Sequence, residues 1–490
     1  MTSPFSIPES VSRITETLEK ESFEAYLVGG CVRDLYLGRT PKDWDVTTNA
    51  KPDQIISLFT KTFYENEYGT VGVVNEDETD ITLKVIEVTP YRTEGAYSDS
   101  RRPDTVSFDA TLDDDLKRRD FTINAIALDI VKNVVVDPFF GREDIQKGVI
   151  RTVGKPEERF QEDALRMLRA VRIHAELGFK IEKETQDGIK KSANLLRKIA
   201  KERIRDEFIR IVMSQNPMEG LTVAHELGIL KYISPELEEA IGVEQNKAHS
   251  FDVWTHLMKS LQHAADKNLP LHIRLTALFH DISKPETRRR PKEKNEWTFY
   301  GHEVVGARKT KKILDRLKFP RDLIDNVVKL VRWHMFFSDT EQITLSAVRR
   351  LVANVGKENV WDLMSVRMCD RIGTGRPKES PYRLRKYQSM IEEAMRDPVS
   401  VGMLAIDGAD VMKITKIPAS PRVGSILHAL LEEVLENPKL NTKETLTEKA
   451  LKLATLSEVE LAKKGDSGKD KREEEEEKIL KKIRGKYKVN

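Results

Sequence analysis

AYLVGGCVRDLYLGRTPKDWDVTT, residues 25–48, is the stretch on which the reading of this chain turns. A short apolar run leads into paired glycines, Gly29 and Gly30, then a basic residue, Arg33, and ten positions later two carboxylates, Asp43 and Asp45. Alternate residues of a strand point the same way, so Asp43 and Asp45 are expected on one face. Paired hard oxygen ligands suit Mg²⁺, which binds carboxylates together with substrate phosphates. Metal ions in such sites clamp the attacking and leaving oxygens of an in-line phosphoryl displacement. A Gly-Gly turn lets backbone N–H groups approach a triphosphate closely. A bare D-x-D reads as an acidic loop; the full set at this spacing points to phosphoryl chemistry.

The segment resembles the signature of class II nucleotidyltransferases of the polymerase-beta superfamily, the group of bacterial CCA-adding enzymes and their poly(A) polymerase relatives. Further blocks match in the family's order: RRDFTINAIALD (118–129), DPFFGREDIQKGVIRTVG (137–154), RFQEDALRMLRAVRIHAELGFKI (159–181) and KERIRDEF (201–208). The resemblance is close over roughly the first 210 residues and looser beyond. It implies an α/β polymerase-beta-like nucleotidyltransferase head followed by a mostly α-helical neck, an HD domain and a C-terminal helical module. The implied activity is template-independent addition of CCA to the tRNA 3′ end from CTP and ATP with Mg²⁺. Two alternatives stay open: an A-adding enzyme or poly(A) polymerase using ATP only, and an HD phosphohydrolase acting on RNA 3′ phosphates as the main activity.

A chain of 490 residues is long for one core, so several domains are expected. Hydrophobic content of 39% with 33% charged residues describes a soluble globular protein. No apolar run reaches the ~20 residues of a membrane span, so no membrane partner is expected. The opening MTSPFSIPES lacks a basic n-region and an apolar h-region, which argues against a secretion signal and for a cytoplasmic protein. Two cysteines, Cys31 and Cys369, exclude a disulfide framework and suit a reducing compartment. Net charge is only +2, so RNA must be held by local basic patches. The oligomeric state is left open.

Residues 1–150 alternate β-rich runs (AYLVGG, TVGVVN, ITLKVIEVTP, VVVDPFF) with amphipathic stretches and read as the head. Helix periodicity then takes over: 151–225 as a basic neck, 226–395 as a His-containing domain, 396–455 as a further helical module. The tail, 456–490, is charged and of low complexity; a break is expected at 465–471, then a solvated helix over REEEEEKILKKIRGKY with acid-to-base i,i+4 pairs.

Within the head, polymerase-type sites need more than two carboxylates. Glu87, in VIEVTPYR, reads equally as a surface strand residue or as a third carboxylate brought beside Asp43 by a neighbouring strand; the resemblance favours a supporting role. TEGAYSDSRRPDTVSF (93–108) is a Gly- and charge-rich loop of the kind that moves over a site. The resemblance implies that it helps the switch from CTP to ATP. Gly29, Gly30 and Arg33 are expected at the triphosphate. Arg118, Arg119 and Asp120 are expected to open a helix whose N-terminus favours phosphate or ribose. Either arginine also reads as a structural ion pair, with Arg119 the favoured nucleotide contact.

On a helical wheel of 159–177, Glu162, Asp163, Arg166, Arg169, Arg172 and Glu176 share one half, largely opposite Leu165, Met167, Leu168, Val171 and Ala175. Cytosine and adenine each present an amino donor beside a ring-nitrogen acceptor; uracil and guanine reverse the order. A carboxylate beside a guanidinium matches C and A and leaves U and G mispaired. Asp163 and Arg166 fill the family's E-D-x-x-R amino-acid template, which implies that Arg169 and Arg172 lie near the triphosphate.

Between 249 and 370 histidines recur with acidic partners: His256, His280–Asp281, His302, His334 and Asp370. LFHDISKP (278–285) resembles the HD phosphohydrolase signature, with the two extra histidines of dinuclear members. Imidazole with carboxylate suits a second divalent metal, Ni, Mn, Fe or Zn. Ser283 stands where glycine is common; Lys284 remains as a phosphate contact. His249, His263 and His272 read as helix-face residues. The segment 401–430 resembles the family's tail module, with Pro-Ala-Ser-Pro in place of a glycine-rich turn. RPKESPYRLRKY (376–387) and LLRKIAKERIR (195–205) are basic clusters able to line a tRNA acceptor stem through backbone contacts.

Overall fold

The computed structural model describes residues 5–64, 69–95, 106–246, 250–290, 296–336 and 343–465. The centre of the expected mobile loop (96–105), His249 and the tail beyond 465, with its expected break and helix, lie outside them. Two compact units form, Met1–Glu239 with Asp315–Phe319, and Ala240–Leu314 with Pro320–Asn490.

Seven strands make the main sheet of the first unit: β1 (Ala25–Val28), β2 (Asp45–Thr48), β3 (Thr62–Tyr64), β4 (Val71–Val74), β5 (Val85–Pro90), β6 (Ala127–Asp129) and β7 (Val134–Val136). Their order is β3-β4-β5-β2-β1-β6-β7. Within this order β2 and β5 run parallel and the other neighbours antiparallel. Leu27, Val46, Ile86, Val88 and Leu128 are fully buried on the central strands, which is why these runs are so apolar.

Helix α1 (Glu9–Lys20) buries Val11, Ile14 and Leu18, a stripe at helical spacing. Gly29, at φ 81°, makes the turn from β1 into α2 (Gly30–Tyr36), a backbone conformation that favours glycine. Helix α3 (Leu112–Lys117) starts at a capping box: Thr111 accepts from the Asp114 N–H, and Asp113, Asp114 and Asp115 fill the first turn. That start corrects one expectation. Arg118, Arg119 and Asp120 follow the C-terminal end of α3 rather than opening a helix, because the better N-cap lies upstream.

The neck contributes α4 (Pro156–Glu162), α5 (Leu165–Leu177) and α6 (Lys201–Met213). The continuous helix expected over 159–177 is interrupted at Asp163, which is extended (φ −138°, ψ 104°) and accepts from the Leu165 N–H at 3.0 Å. An Asp side chain that binds a nearby N–H competes with the helix it would otherwise continue. The charged half of the wheel is not a solvated face either. Arg166 and Arg172 are 8% and 6% exposed, because α5 is packed against α6 and against the helix Pro217–Glu226.

The second unit is helical among its described residues: α7 (Val253–Asp266), α8 (Leu271–Phe279), α9 (His302–Arg316), α10 (Arg321–Trp333), α11 (Leu345–Val355), α12 (Val360–Gly373), α13 (Tyr382–Ala394), α14 (Gly408–Thr415), α15 (Pro421–Glu436), α16 (Lys443–Ala454) and α17 (Glu458–Gly465). One apolar cluster joins α11, α12 and α13 through Val352, Leu363 and Ile391. A second joins α14 to α17 through Val411, Leu430, Leu446 and Leu461. No helix among the described residues is long and apolar enough to cross a membrane.

Gly141, in the DPFFG block, lies against the 120–124 segment; a Cβ there would overlap the Thr122 carbonyl oxygen, and Thr122 Oγ1 donates to Asp144 Oδ2 at 2.6 Å. Gly141→Ala is therefore expected to destabilise the first unit by about 1–3 kcal/mol, the usual cost of overpacking. Urea denaturation measures this, and an unchanged midpoint would contradict the close approach.

Candidate active site and metal centre

Three groups converge on the turn after β1. A Cβ placed at Gly29 would stand 3.1 Å from Asp45 Oδ2 and 3.4 Å from Arg119 Nη1, so backbone, carboxylate and guanidinium share one small space. Asp45 lies opposite Glu87 in the parallel β2–β5 register, which puts the two on one face. Glu87 is thus beside Asp45 rather than Asp43. Asp43 itself is exposed in the bend before β2, since the ladder with β5 opens at Asp45; the shared strand face expected for the two aspartates is corrected.

Arg33 is buried next to Gly30, donating from Nη1 to Asn124 Oδ1 at 2.9 Å and from Nη2 to Asp34 Oδ1 at 2.8 Å. Arg118 and Arg119 both grip a residue the sequence reading missed. Asp115, fully buried, accepts from Arg118 Nε and Arg119 Nη2, each at 2.9 Å, and from Thr47 Oγ1 at 3.2 Å. Burial alone raises its pKa, but the two guanidiniums outweigh that and hold it below the ordinary value. The signal was present: in LDDDLKRR, Asp115 stands i,i+3 and i,i+4 from the two arginines.

Asp120 accepts from the Phe121 N–H at 2.8 Å and Asn124 Nδ2 at 3.1 Å, and its Oδ2 faces Arg169 Nη2 at 3.1 Å. Burial pushes this carboxyl up, and Arg169 with Asn124 brings it below the usual range. Arg166 donates to the Arg118 carbonyl at 2.8 Å, the Arg159 carbonyl at 3.2 Å and Glu162 Oε2 at 2.5 Å. Asp163 instead pairs with Arg203 Nη2 at 2.7 Å. The two residues expected to form a template therefore sit at one helix start with their side chains on separate partners. Arg172 is buried against Glu207 at 3.1 Å, and burial pushes it down to about 10. Glu207, in the KERIRDEF block, had no role in the sequence analysis, and Arg203 entered it only as part of the basic 195–205 cluster.

In the second unit the six expected ligands come together, each buried. His256 Nε2 is 2.9 Å from His280 Nε2 and 3.0 Å from Asp281 Oδ2, and Asp370 Oδ1 lies 3.5 Å from His256 and 3.7 Å from His280. On the other oxygen, Asp281 Oδ1 is 3.2 Å from His302 Nε2 and 3.6 Å from His334 Nε2, themselves 3.3 Å apart. The Nδ1 atoms of His280, His302 and His334 face the carbonyls of Ala277, Phe299 and Val331 at 2.7–2.9 Å, which turns the Nε2 lone pairs inward. Ligands about 2.1 Å from one ion stand roughly 3.0–3.4 Å apart, so these spacings suit a cation in each half with Asp281 shared. Asp281 Oδ1 also lacks a hydrogen-bond donor although buried. The donor set fits divalent metal.

Surrounding charge agrees. Lys284 Nζ, 2.6 Å from Asp281 Oδ2, helps to hold that carboxyl well below the usual range against the opposing effect of burial. Burial pushes His334 down to about 4, so it stays neutral and able to ligate. Ser283 donates to the His302 carbonyl at 2.7 Å, tying the His280–Asp281 turn to α9, which a glycine could not do. His263 and His272 pair with Glu379 (2.9 Å) and Asp362 (2.8 Å), away from the ligand set as expected.

Comparison with known proteins follows this division. The profile described as Poly A polymerase head domain matches residues 25–151, that described as "Probable RNA and SrmB- binding site of polymerase A" residues 178–241, and the HD domain residues 247–362. The CCA-adding enzyme of Lactiplantibacillus plantarum is 31% identical over 452 residues, covering 91% of this chain and 96% of its own. That of Geobacillus stearothermophilus is 32% identical over 435 residues, covering 88% and 94%. Among solved structures, the Bacillus stearothermophilus CCA-adding enzyme in complex with CTP is similar at TM-score 0.68 and 29% identity, covering 91% of this chain and 98% of that one. The Thermotoga maritima CCA-adding enzyme complexed with tRNA shares the fold at TM-score 0.55 and 19% identity, covering 92% and 97%.

The clustered imidazoles generate a direct expectation. Protein loaded with Mn²⁺ or Ni²⁺ and dialysed should retain close to two ions per chain, and Asp281→Ala should lose both, because it removes the shared carboxylate. Elemental analysis checks this; retention unaffected by Asp281→Ala would contradict the shared-ligand arrangement.

Proposed function

The chain belongs to the CCA-adding enzyme family, and on that premise we propose how its residues add C, C and A to the tRNA 3′ end from CTP and ATP. The convergence of Asp45 and Arg119 on the Gly29 turn, with Glu87 opposite Asp45 in the β2–β5 register, carries the assignment. Hard carboxylate oxygens beside a turn open to phosphate suit Mg²⁺, held by Asp43 and Asp45 with Glu87 in support. When bound, that ion supplies charge that lowers the cost of nucleophilic attack and of pyrophosphate departure. The backbone of Gly29 and Gly30, with Arg33 and Arg119, holds the triphosphate; Arg118, through Asp115, keeps Arg119 in place. The tRNA 3′ oxygen forms the new bond to the α-phosphorus as the α–β bridge bond breaks, and pyrophosphate leaves.

Base choice falls to the neck. Asp163 accepts from the exocyclic amine of C or A and Arg166 donates to the adjacent ring nitrogen, a pairing that U and G cannot satisfy. Both side chains already have protein partners, Arg203 for Asp163 and backbone carbonyls for Arg166, so a nucleotide exchanges for them rather than filling a void. Arg169, fixed by Asp120, faces the head, while the Arg172–Glu207 pair ties α5 to α6. Exposed Arg383, Arg385 and Lys386 in the second unit, and the 195–205 cluster in the first, contact the tRNA backbone. Buried thiols at Cys31 and Cys369 accord with a reducing cytoplasm.

A second activity is favoured by one observation, the sharing of Asp281 between two ligand groups. We infer phosphohydrolysis of RNA 3′ phosphates there, with Lys284 as a phosphate contact. The metal, Mn, Ni, Fe or Zn, would activate water for attack on the phosphoester.

The test is addition to a tRNA transcript ending at its discriminator base, with products resolved at single nucleotides. CTP alone should add two residues, CTP with ATP three. Asp45→Asn should cut the rate about a hundredfold or more, while a His280→Ala, Asp281→Ala variant should add CCA normally. Incorporation of ATP alone, with none of CTP, would contradict the assignment.

A further inference from the structure

One buried chain of polar groups joins the two halves of the first unit's site. Arg33 Nη1 donates to Asn124 Oδ1 at 2.9 Å, Asn124 Nδ2 donates to Asp120 Oδ1 at 3.1 Å, and Asp120 Oδ2 meets Arg169 Nη2 at 3.1 Å. Asn124 and Asp120 are 6% and 5% exposed, so neither finds water as a substitute partner. The amide has one satisfying orientation: its oxygen must face the guanidinium and its nitrogen the carboxylate. No other uncharged side chain of this size offers an acceptor to one side and a donor to the other. Arg33 is on α2 and Arg169 on α5, one turn beyond Arg166 on the same helical side. Arg166 in turn donates to the Arg118 carbonyl, two residues before Asp120.

We propose that Asn124 is a positioning residue that couples the triphosphate contact of Arg33 to the orientation of base-reading helix α5, through Asp120 and Arg169. The inference rests on the roles given above to Arg33 and α5. When a phosphate oxygen takes a share of the Arg33 guanidinium, the Asn124 amide relaxes toward Asp120, and the Asp120–Arg169 pair tightens with α5 in its reading position. Buried networks of this kind carry coupling beyond the sum of their pairs, and mutant cycles measure it.

Steady-state CMP addition to a tRNA transcript lacking CCA tests this with the full chain. Arg33→Lys, Arg169→Lys and the double variant are compared in the native and the Asn124→Ala backgrounds, reading KM and kcat for CTP and the preference of CTP over UTP. In the native background the double variant should depart from the product of the single KM effects by about threefold or more. With Asn124→Ala the effects should simply multiply, and CTP preference should fall. If Asn124→Ala melts below the assay temperature, Asn124→Asp serves, since it keeps the size but sets carboxylate against carboxylate; the same loss of coupling is expected. Raised KM values that multiply in both backgrounds would overturn the coupling alone. Arg33→Lys with an unchanged KM for CTP would overturn the triphosphate role of Arg33, and the coupling with it. A merely structural Asn124 would lower stability and kcat yet leave the interaction between Arg33 and Arg169 intact.

Discussion

Burying the Asp120 carboxylate constrains the whole first unit. A charge taken out of water needs a partner inside the protein. Asp120 meets that need with Asn124 from its own segment and Arg169 from the neck. The neck helix is thereby fixed against the head by an ion pair, not by apolar contact alone. The same logic repeats next door, where Asp115 is satisfied by Arg118, Arg119 and Thr47. Guanidiniums that would otherwise sample many rotamers are thereby held in one arrangement around the two carboxylates.

A buried carboxylate organises the second unit too, with a different outcome. Asp281 offers one oxygen to His256 and His280 and the other to His302 and His334. Lys284 supplies one positive charge, yet the inward-facing nitrogens leave room for cations as the natural complement. In the first unit arginine completes the carboxylates; in the second, imidazole does.

Much of this was legible in the sequence. The structure sets the Gly-Gly turn beside Asp45 and gathers the six histidine and aspartate side chains of the second unit, whose sequence blocks had been singled out from local pattern together with the family resemblance. The failures have a common physical cause. Arg118 to Asp120 were expected at a helix start, but Thr111 caps earlier and better. The helix over 159–177 breaks at Asp163, whose carboxylate takes the Leu165 N–H in an extended conformation. Asp43 falls short of the strand because the ladder with β5 begins at Asp45. In each case a short-range competition for backbone N–H groups or ladder partners decided the boundary. Glu207 was missed for another reason: its partner Arg172 comes from tertiary packing, and a buried ion pair looks on a helical wheel like a solvated face.

The central claim is that side chains, with no nucleic-acid template, select the base. Calorimetric titration of the full-length protein with CTP, ATP, UTP and GTP, without RNA, tests it most directly. CTP and ATP should bind about tenfold or more tighter than UTP and GTP, and Arg166→Ala should erase the difference. Equal affinity for all four nucleotides in the unaltered protein would contradict it.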